Sequence, residues 1–312
     1  MQVLTELDND RIDGLLKGNE FFWLDLTAPA GEDLTRLVDL LGLEAWAAHE
    51  LEESSRLPRY DTFEGYLVMV YFGIGGGAHG AYEPVEVRIA ISGSYIVTIH
   101  QDRNEMLEEL AEHLRDRPRT SEGIAVYKVL DVLTDSFFTA LDDVDDRIEA
   151  LENKVLQRPH RAHLQELVAL KNRLVPMRKI ATRQRNVLAQ AEEQIAELPG
   201  LEAGPHDFRD IYQRMVSVSE LIDSSRDVLT GAQDVYLNSV TERLTLVATI
   251  FFPLTVLTGF FGMNFGWMVR HIASLGDFLV FAVGGMLAVT LGVLVLFWRA
   301  GYIGPQAERG YH

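Results

Sequence analysis

Near the C-terminus two long stretches carry no charged side chain, and no other feature of the sequence restricts the fold as much. Between Arg243 and Arg270 lie 26 such residues, LTLVATIFFPLTVLTGFFGMNFGWMV, and between Asp277 and Arg299 lie 21, FLVFAVGGMLAVTLGVLVLFW. At about 1.5 Å per helical residue, either stretch can cross a hydrocarbon core of roughly 30 Å. Buried core helices of a soluble fold are the alternative, but Trp267 and Trp298 near the span ends favour a bilayer, whose interfaces enrich aromatic side chains. The sequence predicts two membrane helices, at about 244–264 and 277–298, joined by the short loop GWMVRHIASLGD.

Charge divides at the same place. From Arg243 onward there are four arginines against Asp277 and Glu308, a balance of +2, so residues 1–242 hold −20 of the total −18. An acidic region is joined to a nearly neutral tail, and nucleic-acid binding is excluded for want of a basic footprint. The absence of cysteine excludes disulfides, thiolate metal sites and cysteine catalysis. The acidic start MQVLTELDND has no basic-then-apolar leader. A large folded region ahead of two spans therefore places both termini in the cytoplasm, as a multi-pass protein of the inner (plasma) membrane.

The soluble region reads as an α+β domain with an α/β first part. FFWLDLT (21–27), YLVMVYFGI (66–74), VEVRIAIS (85–92) and YIVTIHQ (95–101) are β-branched and aromatic strand patterns, the last two joined by a tight turn at Gly93-Ser94. Helical patterns occupy 31–54 and 104–116, and GGGAHG (75–80) is a loop with no phosphate-binding helix after it. From about Ala125 two long helices follow, the second predicted to kink at Pro176. The expected domains are a cytosolic α/β part (1–120), a helical stalk (121–243) and a membrane part (244–312). Asp142, Asp143, Asp145 and Asp146 read as a solvated helix face rather than a cation collector, and no catalytic constellation emerges.

A polar stripe then runs along one helix face into the membrane. Alternating steps of three and four residues from Asp210 give Gln213, Ser217, Glu220, Ser224, Asp227, Gly231, Asp234, Asn238 and Thr241. In the same register the apolar span supplies Thr245, Ala248, Phe252, Thr255, Gly259 and Gly262. A coiled coil puts its apolar seam on such positions; here they are polar or small. A solvated face explains the first half but not the second, since a polar strip avoids lipid. Close packing of small residues between membrane helices is one account of Thr255, Gly259 and Gly262. A water-filled bore, one stripe from each of several identical copies, is the other, with Phe252 as its apolar constriction.

The first span closes on Gly262-Met263-Asn264. With FRDIY (208–212), DVYLNSV (234–240) and ATIFFPLTVLTGFFGMNF (248–265) in order ahead of the second span, the sequence resembles the CorA-type divalent-cation transporters over nearly its whole length. The resemblance implies a funnel-shaped homopentamer that carries Mg²⁺, and also Co²⁺ or Ni²⁺, and is no enzyme. It implies a selectivity ring of Gly262, Met263 and Asn264, a pore lined by Asp234, Asn238, Thr241, Thr245, Ala248, Phe252, Thr255 and Gly259, and a regulatory metal held by Glu50 and Asp210. Neutral oxygens suit Mg²⁺, whose tightly held water shell lets a ring of amides and carbonyls select the hydrated ion.

Two departures stand out. Gly266-Trp267-Met268-Val269-Arg270-His271 is basic where magnesium members of the family carry acidic charge, and the stalk between Tyr236 and Thr249 is about one heptad shorter. A ZntB-like Zn²⁺ transporter, which shares the triplet without the acidic loop, is therefore the alternative within the family. A membrane-anchored cytosolic scaffold or sensor is the alternative outside it, and the stripe entering the span argues against that.

Overall fold

The computed structural model describes residues 1–76, 82–116, 120–201, 207–263, 266, 271 and 274–299. Two compact units emerge, Met1–Gln233 and Asp234–His312.

In the first unit a six-stranded sheet forms from β1 (Gln2–Leu4), β2 (Phe22–Thr27), β3 (Arg59–Phe63), β4 (Tyr66–Gly76), β5 (Tyr82–Ser92) and β6 (Tyr95–His100). Their spatial order is β1-β2-β6-β5-β4-β3. β1, β2 and β6 run parallel, and the remaining pairings are antiparallel. The uninterrupted apolar run of β4 reflects burial on both faces, since Tyr66 to Ile74 are all buried. Alternation assigns the faces. Phe22, Leu24 and Leu26 of β2 and Tyr95, Val97 and Ile99 of β6 join one apolar core with Ile12, Leu15, Leu37, Ala47 and Leu51 of α1 (Asn9–Gly18), α2 (Gly31–Leu41) and α3 (Ala45–Glu52). On the same sheet pack α4 (Glu105–Arg115), α5 (Glu122–Gln157) and α6 (Arg161–Ala196), which contact β1, β4 and β3 respectively. Gln184 of α6 acts as an extra peptide group: its Oε1 accepts from the Phe72 N–H at 2.8 Å and its Nε2 donates to the Phe72 carbonyl at 3.0 Å.

Several expectations shift. The 31–54 helix is two helices, because Gly42 adopts φ 64°, a left-handed geometry that ends α2. β4 takes in Gly75 and Gly76 of the expected glycine loop, β5 begins at Tyr82, and residues 77–81 lie outside the described ones. β1, α1 and β3 were not anticipated. The turn at Gly93 holds, and it requires glycine: a Cβ there would collide with the carbonyl of Pro199. α6 continues through Pro176. Of the acidic run on α5, Asp142, Asp145 and Asp146 are exposed, as a solvated face requires.

The longest helix, α7 (Asp207–Phe261), has 55 residues. The last, α8 (Leu275–Arg299), contains a π-helical stretch at Leu279–Val283. The most apolar 18 residues of α7 have none of their number buried within the chain. Helices this long and apolar, yet uncovered by the chain itself, satisfy their backbone internally and leave their side chains for lipid or other copies.

Candidate functional site

α7 carries two faces of opposite character in one register. Phe208, Ile211, Met215, Val218, Ile222, Ser225, Leu229 and Ala232 are buried at alternating steps of three and four. The stripe from Asp210 to Asp234 lies two residues further on at each step, about 200° around the helix at 3.6 residues per turn, and every member is exposed. Polar contacts hold the buried face against α5. Arg214 pairs with Asp131 and Asp135, and Ser225 Oγ donates to Asp145 at 2.6 Å.

Beyond Asp234 the stripe keeps its phase. Asp234, Asn238, Thr241, Thr245, Ala248, Phe252, Thr255, Gly259, Gly262 and Met263 are all exposed, Phe252 by 72%. The hydroxyls of Thr241, Thr245 and Thr255 donate to the carbonyls of Leu237, Thr241 and Phe251 at 2.8–3.0 Å. With its proton committed to the helix, each oxygen offers only lone pairs outward, an acceptor surface suited to the water shell of a cation. At the helix end Gly262 N–H donates to Thr258 and Met263 N–H to Phe260, tightening the last turn. Asn264 lies outside the described residues, as do Trp267 to Arg270.

The two carboxylates assigned to a regulatory metal differ sharply. Asp210 is exposed, and accepts a hydrogen bond from the Tyr127 hydroxyl at 3.2 Å. Burial, followed by the nearby carboxylates of Asp131 and Asp210, pushes the Tyr127 phenol up to about 12. Glu50 is buried on α3, its side chain only 5% exposed, and it ion-pairs with Arg59 at 2.6 Å. As placed, Glu50 is a partner of Arg59 rather than an open ligand. Arg88 fixes the end of α3, its Nη1 donating to the Leu51 and Glu52 carbonyls at 2.6 and 2.7 Å. Among the described residues no three Asp, Glu or His side chains converge to hold an ion. Arg59 and Tyr127 escaped sequence reasoning; the one signal for Arg59 is that a buried carboxylate demands a cation.

An α/β unit followed by two helices long and apolar enough to cross a membrane, the first of them the 55-residue α7 with its exposed polar stripe, is the architecture of an integral membrane protein. The family model described as CorA-like Mg2+ transporter protein matches residues 18–299. The chain belongs to that family, one of transporters rather than enzymes. It is 29% identical over 295 residues to a cobalt/magnesium transport protein CorA of Thermotoga maritima, covering 89% of this chain and 82% of the relative. A zinc transport protein ZntB of Pectobacterium atrosepticum is 27% identical and covers 65% of each chain. Among solved structures, the CorA magnesium transporter of Methanocaldococcus jannaschii superposes with a TM-score of 0.65 at 23% identity, covering 90% of this chain and 91% of that one. That likeness shows a shared fold.

Proposed function

We propose that this chain assembles as a homopentamer that conducts hydrated Mg²⁺, and also Co²⁺ or Ni²⁺, inward across the inner membrane, with residues 1–243 and both termini in the cytosol. The observation that carries the reading is the stripe on α7, exposed at every step from Asp210 to Gly262 and polar or small at each of them but Phe252, which continues from Thr245 onward through a segment with no charged side chain. Five such stripes facing one axis enclose a bore of hydroxyl, amide and backbone oxygens. Gly262, Met263 and Asn264 form its outer ring, where an amide recognises the hydrated ion without binding it too tightly to release. Phe252 forms an apolar collar that blocks flow when dry. Asp210 senses internal metal; Glu50 joins it only if Arg59 yields its place.

One observation favours a second cargo. The segment after the triplet carries Arg270 and His271 and no acid before Asp277, so it concentrates divalent cations weakly. Zn²⁺ is the cargo named for the ZntB relatives.

Purified chain in liposomes, loaded with a metal-sensitive dye, separates these readings. Mg²⁺ uptake without a proton gradient is expected. Asn264→Ala is expected to cut it by about 10²-fold, the scale of losing a preorganised ligand. Uptake of Zn²⁺ alone assigns the second cargo, and unchanged Mg²⁺ flux in Asn264→Ala removes the ring from the triplet.

A further inference from the structure

In a chain of net charge −18, residues 167–191 of α6 hold Lys171, Arg173, Arg178, Lys179, Arg183 and Arg185 and no acid. Four cations gather in one hollow: Arg178, Lys179 and Arg183 with Arg226 of α7 line a cavity of about 430 Å³. A second hollow of about 320 Å³ shares Arg183 and Asn186 as its wall and adds Arg59. Both lie within the first compact unit.

The internal partners do not satisfy this charge. Asp223 is shared between two of these cations, pairing with Arg178 and, at 3.7 Å, with Arg226. Glu50 takes one end of Arg59, and the Pro58 carbonyl takes Arg183 Nε at 3.3 Å. Lys179 meets no partner among the described residues. The Nε–H donors of Arg59 and Arg226, one at each hollow, are buried without an acceptor. Buried guanidinium donors left unmet in a cationic groove call for an acceptor that brings several anionic oxygens at once. Spherical anions fill one such position; a chain of phosphates spans the groove.

We infer that the groove between α6, α7 and the start of β3 binds a compact polyphosphate, either a nucleoside di- or triphosphate or inorganic polyphosphate. The phosphate oxygens meet Arg178, Lys179, Arg183 and Arg226, in a cavity whose volume falls in the range of small-molecule sites. This site is independent of the transport reading, since none of its residues lies on the stripe. It gives the soluble unit a ligand other than a metal ion.

Isothermal titration of the full chain in detergent micelles, at about 150 mM salt, tests the site with tripolyphosphate and with ATP separately. Saturable binding of either supports it. Equal affinities mean that the phosphates alone are read, and tighter ATP binding means that the nucleoside adds contacts. Lys179→Glu, which breaks no hydrogen bond or ion pair among the described residues, is expected to weaken binding at least about tenfold, equivalent to roughly 1.4 kcal/mol. Arg183→Gln is expected to act in the same direction. Arg173→Glu makes the same charge change on the same helix outside the groove and is expected to cost about twofold or less. The proposal is overturned if neither probe saturates below about 1 mM, or if Arg173→Glu weakens binding as much as Lys179→Glu. It is also overturned if Lys179→Glu disperses the oligomer while binding persists, which makes the groove a surface between copies.

Discussion

The two halves of α7 carry the same stripe and differ in what lies opposite it. From Phe208 to Ala232 the helix buries a residue at every third or fourth position. From Asp234 to Phe261 it buries none. The first half is folded by its own chain, with Ile211, Met215 and Leu229 in a core. The second displays Leu244, Val247, Phe251 and Val256, so its packing has to come from lipid and from other copies. A stripe beside a buried seam is an ordinary solvated face. A stripe with apolar surface around it and no cover among the described residues fits close packing between copies or, as proposed above, a bore.

The sharpest way to break the contrast is to delete one aromatic ring from each region. Phe137 of α5 is fully buried, and Phe137→Ala is expected to cost about 3–5 kcal/mol in urea unfolding. Phe252→Ala removes a ring that is 72% exposed and is expected to move stability by only about 0.5 kcal/mol, while raising the basal cation leak of liposomes. Comparable destabilisation by both would show that the chain packs its own span, and the bore would lose its support.

The regions also differ in what acid and base can do to them. In the first unit, Trp23 Nε1 donates to Thr98 Oγ1, Thr98 donates to Asp25, and His100 lies 3.1 Å from the same carboxylate. The other ring nitrogen of His100 lies 2.7 Å from the Asp102 carbonyl, an acceptor only, so full satisfaction requires the doubly protonated ring. Burial pulls its pKa down, but the hydrogen bond and charge of Asp25 and the Asp102 carbonyl outweigh it and leave it raised. A raised folded-state pKa contributes stability that is complete below the unfolded value of about 6.5 and is lost as pH rises through the folded one. The urea midpoint is therefore expected to fall as pH climbs through that window, and Asp25→Asn is expected to flatten the slope. The uncharged span should add none. A flat wild-type profile would mean that His100 is neutral in the fold.

How much of this was legible in sequence follows the same division. The 3–4 register of α7 needs no neighbour to be seen, and the helix proved continuous from Asp207 to Phe261. β2, β4 and β6 were legible because buried strands read as apolar runs. β1 and β3 were not: they are the two edges of the sheet, and an edge strand such as RYDTF has too little apolar alternation to announce itself. Gly42 ends α2 through a left-handed φ that composition does not reveal. At the site, the exposure of Asp210 agrees with its position on the stripe. The burial of Glu50 depends on Arg59, which arrives from another element and has no sequence signature.

Asp210 gives the smallest effect on stability and the most direct test of sensing. It is exposed, and among the described residues its hydrogen-bond partner is the Tyr127 hydroxyl, so Asp210→Asn should change unfolding by no more than about 0.5 kcal/mol. If internal Mg²⁺ acts through this carboxylate, the same substitution should raise the concentration that inhibits flux several-fold. Glu50→Gln should behave differently, because it deprives the partly buried Arg59 of its counter-charge and therefore destabilises more than Asp210→Asn does. Tyr127 supplies an independent readout. The Asp210 charge helps to hold its phenol near 12, so a cation seated on Asp210 should lower that pKa, measurable as the ultraviolet titration difference between wild type and Tyr127→Phe with and without Mg²⁺. Inhibition that is unchanged in Asp210→Asn, with a Tyr127 titration indifferent to Mg²⁺, would leave the first half of the stripe as a solvated face and confine ion handling to the second.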